Sequence, residues 1–155
     1  MKRLIARNTS TNVVVADRVG VAATRAERAV GLLSKSGLEP GEALWIVPSR
    51  GIHTWGMRFP IDVLALDESG LVIDRVRSLR PWRIRLPRRG TAGVLELAAG
   101  TLDRSGTELG HRILFELIET REPAPADART EHRTEHHDLG TANRELNREP
   151  RTANR

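Results

Sequence analysis

The segment from Ile52 to Asp62, IHTWGMRFPID, concentrates the side chains of this sequence that are best suited to chemistry. Imidazole titrates nearest to neutral pH, so His53 could act as a general base, with Asp62 orienting its ring. Arg58 and Arg83 could hold an oxyanion or a phosphate, because one guanidinium group can donate two parallel hydrogen bonds to two oxygens of such a group. The segment therefore predicts a small binding module with a cleft for a small anionic ligand. In an enzyme the same cleft would be hydrolytic, with His53 and Asp62 as catalytic residues.

Three other interpretations of this segment remain open. A soft-metal site would use His53 and Met57 with Trp55 over the cation, but it lacks further ligands in a chain without cysteine, so neither a metal nor a cofactor is predicted. A protein-docking edge would use Trp55 and Arg58, which are residue types common in binding hot spots. In a purely structural interpretation, His53, Trp55 and Met57 share one strand face in the core and Asp62 caps a turn.

Two residues in the segment interrupt a regular strand. Gly56 permits a bulge and Pro60 removes a ladder donor, which predicts an edge or a bend. Such a bend would turn the side chains of His53, Arg58 and Asp62 toward a shared opening.

The elements around this segment predict a mainly β or α+β domain over residues 1–120. Short apolar segments separated by turn residues favour a small antiparallel barrel- or sandwich-like sheet with one or two short flanking helices. Asp67–Gly70 predicts a hairpin turn. The predicted strands cover residues 12–16, 19–23, 43–47, 61–66, 71–76, 82–86, 94–99 and 113–119.

One helix has a clear start signal. Thr24 and Glu27 form a capping-box pattern, and Ala26, Val30 and Leu33 follow on one face of a helix of about nine residues. Glu96 stands alone among apolar residues. It could be a buried acid that reaches an arginine, but an outward position on its strand is the expectation.

Positive charge is local. The chain carries a net +5, yet residues 75–89 contain seven arginines and no acid. Weak nucleic-acid binding through this Arg75–Arg89 stripe is a further alternative. Trp82, Ile84 and Leu86 alternate with arginines, which predicts a half-buried strand with its arginines outward.

Residues 121–155 repeat short polar units and include only two large apolar residues, so they predict a disordered tail. No segment is long and apolar enough to span a membrane or to serve as a signal peptide. The sequence therefore predicts a cytoplasmic protein without a membrane partner. The sequence does not indicate an oligomeric state.

The order of the motifs from Glu27 to Ile113 resembles the domain-of-unknown-function family 192. The central motif carries the resemblance together with Pro81-Trp82-Arg83 and the run VLELAAG that begins at Val94. This resemblance implies a small single-domain β-rich fold of bacteria and archaea without an established activity. It also implies an aspartate at the position of His111. The candidate ligand-binding residues are His53, Thr54, Met57, Arg58, Asp62, Arg83 and Glu96.

Overall fold

The computed structural model describes residues 2–49, 51–86 and 88–119. The predicted disordered tail at 121–155 lies outside these residues. Neither described helix is long and apolar enough to cross a membrane.

Strands dominate the part of the chain that the structure describes, and the predicted β-rich α+β class is confirmed. Ten strands form three sheets, with the orders β10-β1-β2, β3-β4-β9-β6-β7 and β5-β8. The elements are β1 Lys2–Asn8, β2 Val13–Ala16, β3 Arg18–Ala22, α1 Arg25–Val30, β4 Glu42–Ile46, β5 Ile52–His53, β6 Ile61–Leu66, β7 Val72–Leu79, β8 Ile84–Arg85, β9 Gly93–Ala98, α2 Thr101–Ser105 and β10 Ile113–Glu119.

The core lies on both faces of β6 and β9, two of the three inner strands of the five-stranded sheet. Every residue of these two strands is buried. Leu64 and Leu95 pack into the cluster on one face, whereas Val63 and Val94 pack into the cluster on the other. Strands that are covered on both faces are apolar along almost their whole length. The sequences of β6, IDVLAL, and β9, GVLELA, have this composition.

The predicted hairpin between β6 and β7 is confirmed. The Asp67 carboxylate accepts hydrogen bonds from the backbone amides of Leu71 and Ser69, and these bonds lower its pKa. Gly70 takes a left-handed conformation with φ 80°, and a Cβ there would collide with the carbonyl oxygen of Ile113. Local turn chemistry therefore determines this connection.

The capping box at Thr24 and Glu27 is also confirmed, but the helix is shorter than predicted. α1 ends at Val30 after six residues, because Gly31 leaves helical geometry with φ 46°. The predicted apolar face does not enter the core. Val30 and Leu33 stay exposed, and Leu32 in the following turn is buried instead.

The predicted orientation of the strand around Ile84 is wrong. Trp82, Ile84 and Leu86 point outward, with 66%, 58% and 80% of their surfaces exposed. Arg85 points inward, because its guanidinium binds the buried carboxylate of Asp74 at distances of 2.8 to 3.1 Å. This ion pair satisfies the buried carboxylate of Asp74, and with Arg85 turned toward it the three apolar side chains face solvent.

Candidate functional site

A pocket of about 270 Å³ is lined by the end of α1, the turn that follows it, residues from the segment 46–57 and Glu96 of β9. Its apolar walls include Leu32, Leu33, Ile52 and Met57. Its polar lining consists of Arg28, Ser49, His53 and Glu96. An apolar pocket with a few convergent polar groups is the usual form of a small-molecule site.

Glu96 lies in the wall of this pocket, at the centre of β9. Only 4% of its surface is exposed, so the expected outward position is wrong. The reason is that β9 lies between β4 and β6 and is covered on both faces. Its Oε2 has no hydrogen-bond partner among the described residues, and no described arginine reaches it. Burial raises the pKa of Glu96 from 4.5 to about 7.

His53 and Met57 approach the same pocket from the segment that the sequence singles out. His53 lies on β5 with its side chain exposed at the rim, whereas Met57 is buried in the wall. The interpretation of His53, Trp55 and Met57 as core residues is therefore right for Met57 and wrong for His53 and Trp55. Trp55 is 54% exposed, and its ring centroid lies 6.4 Å from that of His53.

Asp62 does not share this pocket. Its Oδ1 accepts the amide of Ser78 at 2.8 Å, and its Oδ2 accepts the amide of Leu102 at 2.9 Å. Leu102 lies in the first turn of α2, where Gly100 offers no side-chain cap, so Asp62 caps this helix from a neighbouring strand.

The pairing register explains why Asp62 and Glu96 are separated. Asp62 is opposite Leu97 and Val63 is opposite Glu96 across the β6–β9 pair. Paired residues share a sheet face and successive residues alternate, so Asp62 and Glu96 point to opposite faces. The predicted opening shared by His53, Arg58 and Asp62 does not form, and neither does a His53–Asp62 pair.

Thr54 is wholly buried, and its hydroxyl group makes hydrogen bonds that stabilise the fold. Its hydroxyl donates to the carbonyl oxygen of Arg80 at 2.8 Å and accepts the amide of Arg83 at 2.9 Å. These bonds join the segment after β5 to the segment before β8. The side chains of Arg58 and Arg83 are exposed and do not line the pocket.

Arg28 is a pocket residue that sequence reasoning missed. It lies in the last turn of α1, and its guanidinium donates to the carbonyl oxygen of Ala23. The capping box signals where this helix starts. Nothing in the local pattern signals that the end of this helix lines the same pocket as Glu96.

His111 stands where the resemblance implies aspartate. Its Nδ1 lies 3.0 Å from the side-chain nitrogen of the buried Asn8 and accepts the amide of Glu108 at 3.2 Å. An imidazole nitrogen thus provides an acceptor here, as a carboxylate could. His111 does not line the pocket. Among the described residues, no group of three or more acids or histidines is placed to hold a metal ion.

This fold and this pocket define a small β-rich domain with a buried acid facing a cavity. Residues 5–115 match the family model described as Uncharacterized ACR, domain of unknown function 192. The chain belongs to this family, which confirms the resemblance.

Its relatives include proteins of archaea. A UPF0127 protein of Thermococcus sibiricus is 33% identical over 128 residues, covering 78% of this chain and 82% of that protein. A UPF0127 protein of Pyrococcus abyssi is 33% identical over 112 residues, covering 68% of this chain and 92% of the relative.

Two crystal structures share the fold. One, from Sinorhizobium meliloti and described as a candidate transcription regulator, superposes with a TM-score of 0.65 at 23% identity, covering 74% of this chain and 94% of that one. The other, a protein of unknown function from Novosphingobium aromaticivorans, has a TM-score of 0.63 at 22% identity, covering 72% of this chain and 82% of that one.

Proposed function

We propose that this protein is a binding module whose pocket takes a small carboxylate with an apolar body. The observation that carries this proposal is the buried Oε2 of Glu96 in the pocket wall, which has no hydrogen-bond partner among the residues that the structure describes. Leaving a buried polar atom unsatisfied costs about 1–3 kcal/mol, and a bound ligand that pairs with it recovers this energy. A structural acid would have its partner within the fold.

The protonation of Glu96 supports an anionic ligand group. With its pKa at about 7, the side chain is largely a neutral acid below neutral pH. It can then donate its proton in a hydrogen bond to a ligand carboxylate. Arg28 lines the same pocket and adds positive charge near that anion, and His53 adds a ring nitrogen at the rim that can donate a hydrogen bond.

The walls limit the rest of the ligand. Leu32, Leu33, Ile52 and Met57 favour an aliphatic or aromatic body. The volume of about 270 Å³ lies just below the usual range for small-molecule sites, roughly 300–1,000 Å³, and therefore favours a small ligand.

The test compares hexanoate, hexanol and hexylamine by calorimetric titration, one pH unit below and one above the pKa of Glu96. These probes share a body and differ in the polar group. We expect hexanoate to bind best, and to bind more weakly at the higher pH because ionised Glu96 repels it. Glu96→Gln keeps a donor without the charge, so its hexanoate binding should change less with pH than that of the unaltered protein. Stronger binding of hexylamine, increasing with pH, would overturn the carboxylate proposal.

The hydrolytic alternative loses its catalytic pair, because both oxygens of Asp62 are occupied by backbone amides.

For the cellular location, we propose the cytoplasm. A chain of 155 residues without cysteine is compatible with a reducing compartment. Cell fractionation tests this.

A further inference from the structure

Four large apolar side chains project from the ribbon of β5 and β8 and from the segments beside it. Trp55, Trp82, Ile84 and Leu86 are 54% to 80% exposed. We call these four residues the β5–β8 face. Single exposed apolar residues are ordinary, but four together mark an interaction surface.

Backbone contacts hold these side chains in one place. The two short strands pair His53 with Ile84, and the amide of Trp82 donates to the carbonyl oxygen of Thr54 at 2.9 Å. Trp82 has the left-handed φ of 61°, which is costly for a residue with a side chain. The outward tryptophan is thus held by the surrounding structure.

The charges next to this face are positive. Arg58, Arg80, Arg83 and Arg89 are exposed and form no ion pair with a described residue. The other arginines of the 75–89 stripe pair with Asp74, Asp103 or Glu108. Four exposed arginines without a described acidic partner favour a binding partner that carries negative charge.

Charge and shape decide between partners. A second copy of this chain would bring arginines against arginines. The bases of a single-stranded nucleic acid could stack on Trp55 and Trp82, but they would leave the aliphatic side chains of Ile84 and Leu86 exposed to solvent. An acidic protein would need a surface complementary to four projecting side chains, whereas lipid rearranges around them.

We propose that the β5–β8 face docks onto the surface of an anionic lipid bilayer. Tryptophan rings prefer the interface between headgroups and acyl chains, and Ile84 and Leu86 enter its apolar side. The neighbouring arginines then contact lipid phosphates or carboxylates. This reverses the sequence-based expectation of no membrane partner, and it does not depend on what the pocket binds.

Flotation of the full-length protein with vesicles tests this proposal. We expect binding to vesicles of phosphatidylcholine with phosphatidylserine, weak binding to phosphatidylcholine alone, and release by salt. Leu86→Ser should weaken binding on the order of tenfold. The double change Arg80→Gln and Arg83→Gln should weaken it by at least as much.

Leu117→Ser is the matched control, because Leu117 is 63% exposed on β10, which belongs to a different sheet from β5 and β8. It should leave vesicle binding unchanged. All variants alter exposed side chains, so unchanged melting temperatures should verify folding. Equal effects of Leu86→Ser and Leu117→Ser, or tight binding to a single-stranded oligonucleotide with none to anionic vesicles, would overturn the proposal.

Discussion

Asp62 and Glu96 are two buried acids on adjacent strands of one sheet, and they differ in what surrounds them. Asp62 is 1% exposed and Glu96 is 4% exposed. On its side of the sheet, Asp62 receives two backbone amides, one of them from α2. On the opposite side, Glu96 faces a cavity with one oxygen unpartnered among the described residues.

This difference shows that burial alone does not indicate what an acid does. A fully hydrogen-bonded carboxylate stabilises the fold, and its removal leaves donors without partners. A buried acid without a hydrogen-bond partner lowers the stability of the fold. When such an acid faces a cavity, a ligand that supplies the missing hydrogen bond stabilises the protein.

Asp62→Ala should lower the free energy of unfolding by about 4 kcal/mol, because the buried amides of Ser78 and Leu102 both lose a charged acceptor. Chemical denaturation measures this. Glu68→Gln, at an exposed position in the β6–β7 turn, is the control and should change stability by less than about 0.5 kcal/mol. A loss of less than about 1 kcal/mol for Asp62→Ala would contradict its assigned role.

Glu96 should make the folded protein less stable as pH rises. The folded state holds this proton up to about pH 7, whereas the unfolded chain releases it near the ordinary pKa of 4.5. The contribution of Glu96 to the free energy of unfolding is therefore largest below pH 4.5. It declines by up to about 3 kcal/mol as the pH rises to about 7.

Glu96→Gln removes this ionisation, so its unfolding free energy should change less with pH than that of the natural protein. Denaturation series across the same pH range measure both slopes. Identical slopes would show that Glu96 is not a proton-binding acid of the folded state.

Asp74 is a third buried acid, and its partner is a side chain. Arg85→Gln should lower stability by about 2 kcal/mol, because the buried Asp74 loses its bidentate contact. The double change Arg85→Leu with Asp74→Leu should recover much of that loss. Denaturation of the single and double variants forms the measurement, and equal losses in both would contradict the pairing argument.

His53→Ala should have the smallest effect on stability, less than about 0.5 kcal/mol, because its side chain is exposed. It should nonetheless weaken hexanoate binding several-fold, since it removes a donor from the rim. Calorimetry on a variant with an unchanged melting temperature separates these effects. Unchanged hexanoate affinity would remove His53 from the proposed site.

Sequence reasoning succeeds where a few neighbouring residues determine the structure. The capping box at Thr24 and Glu27 and the turn at Asp67–Gly70 are local, and both are confirmed. β1, Lys2–Asn8, is not predicted, because KRLIARN mixes charges with apolar residues and is a strand only through its pairing with β2 and β10.

Non-local pairing also limits how much of the site can be predicted. The types of His53, Met57 and Glu96 attract attention, and the structure places all three around one pocket. The register of β6 against β9 directs Asp62 away from them, and Asp74 draws Arg85 inward from a distance of eleven residues. Neither effect can be read from the local alternation of residue types.

The most direct test of the central claim is an NMR titration of the Glu96 side-chain carboxyl carbon, without and with saturating hexanoate. The unpartnered acid should titrate with a midpoint at about pH 7 in the free protein. Hexanoate should raise this midpoint, because an anionic neighbour favours the protonated acid. A midpoint at the ordinary value of 4.5, or one that falls when hexanoate is added, would contradict the account.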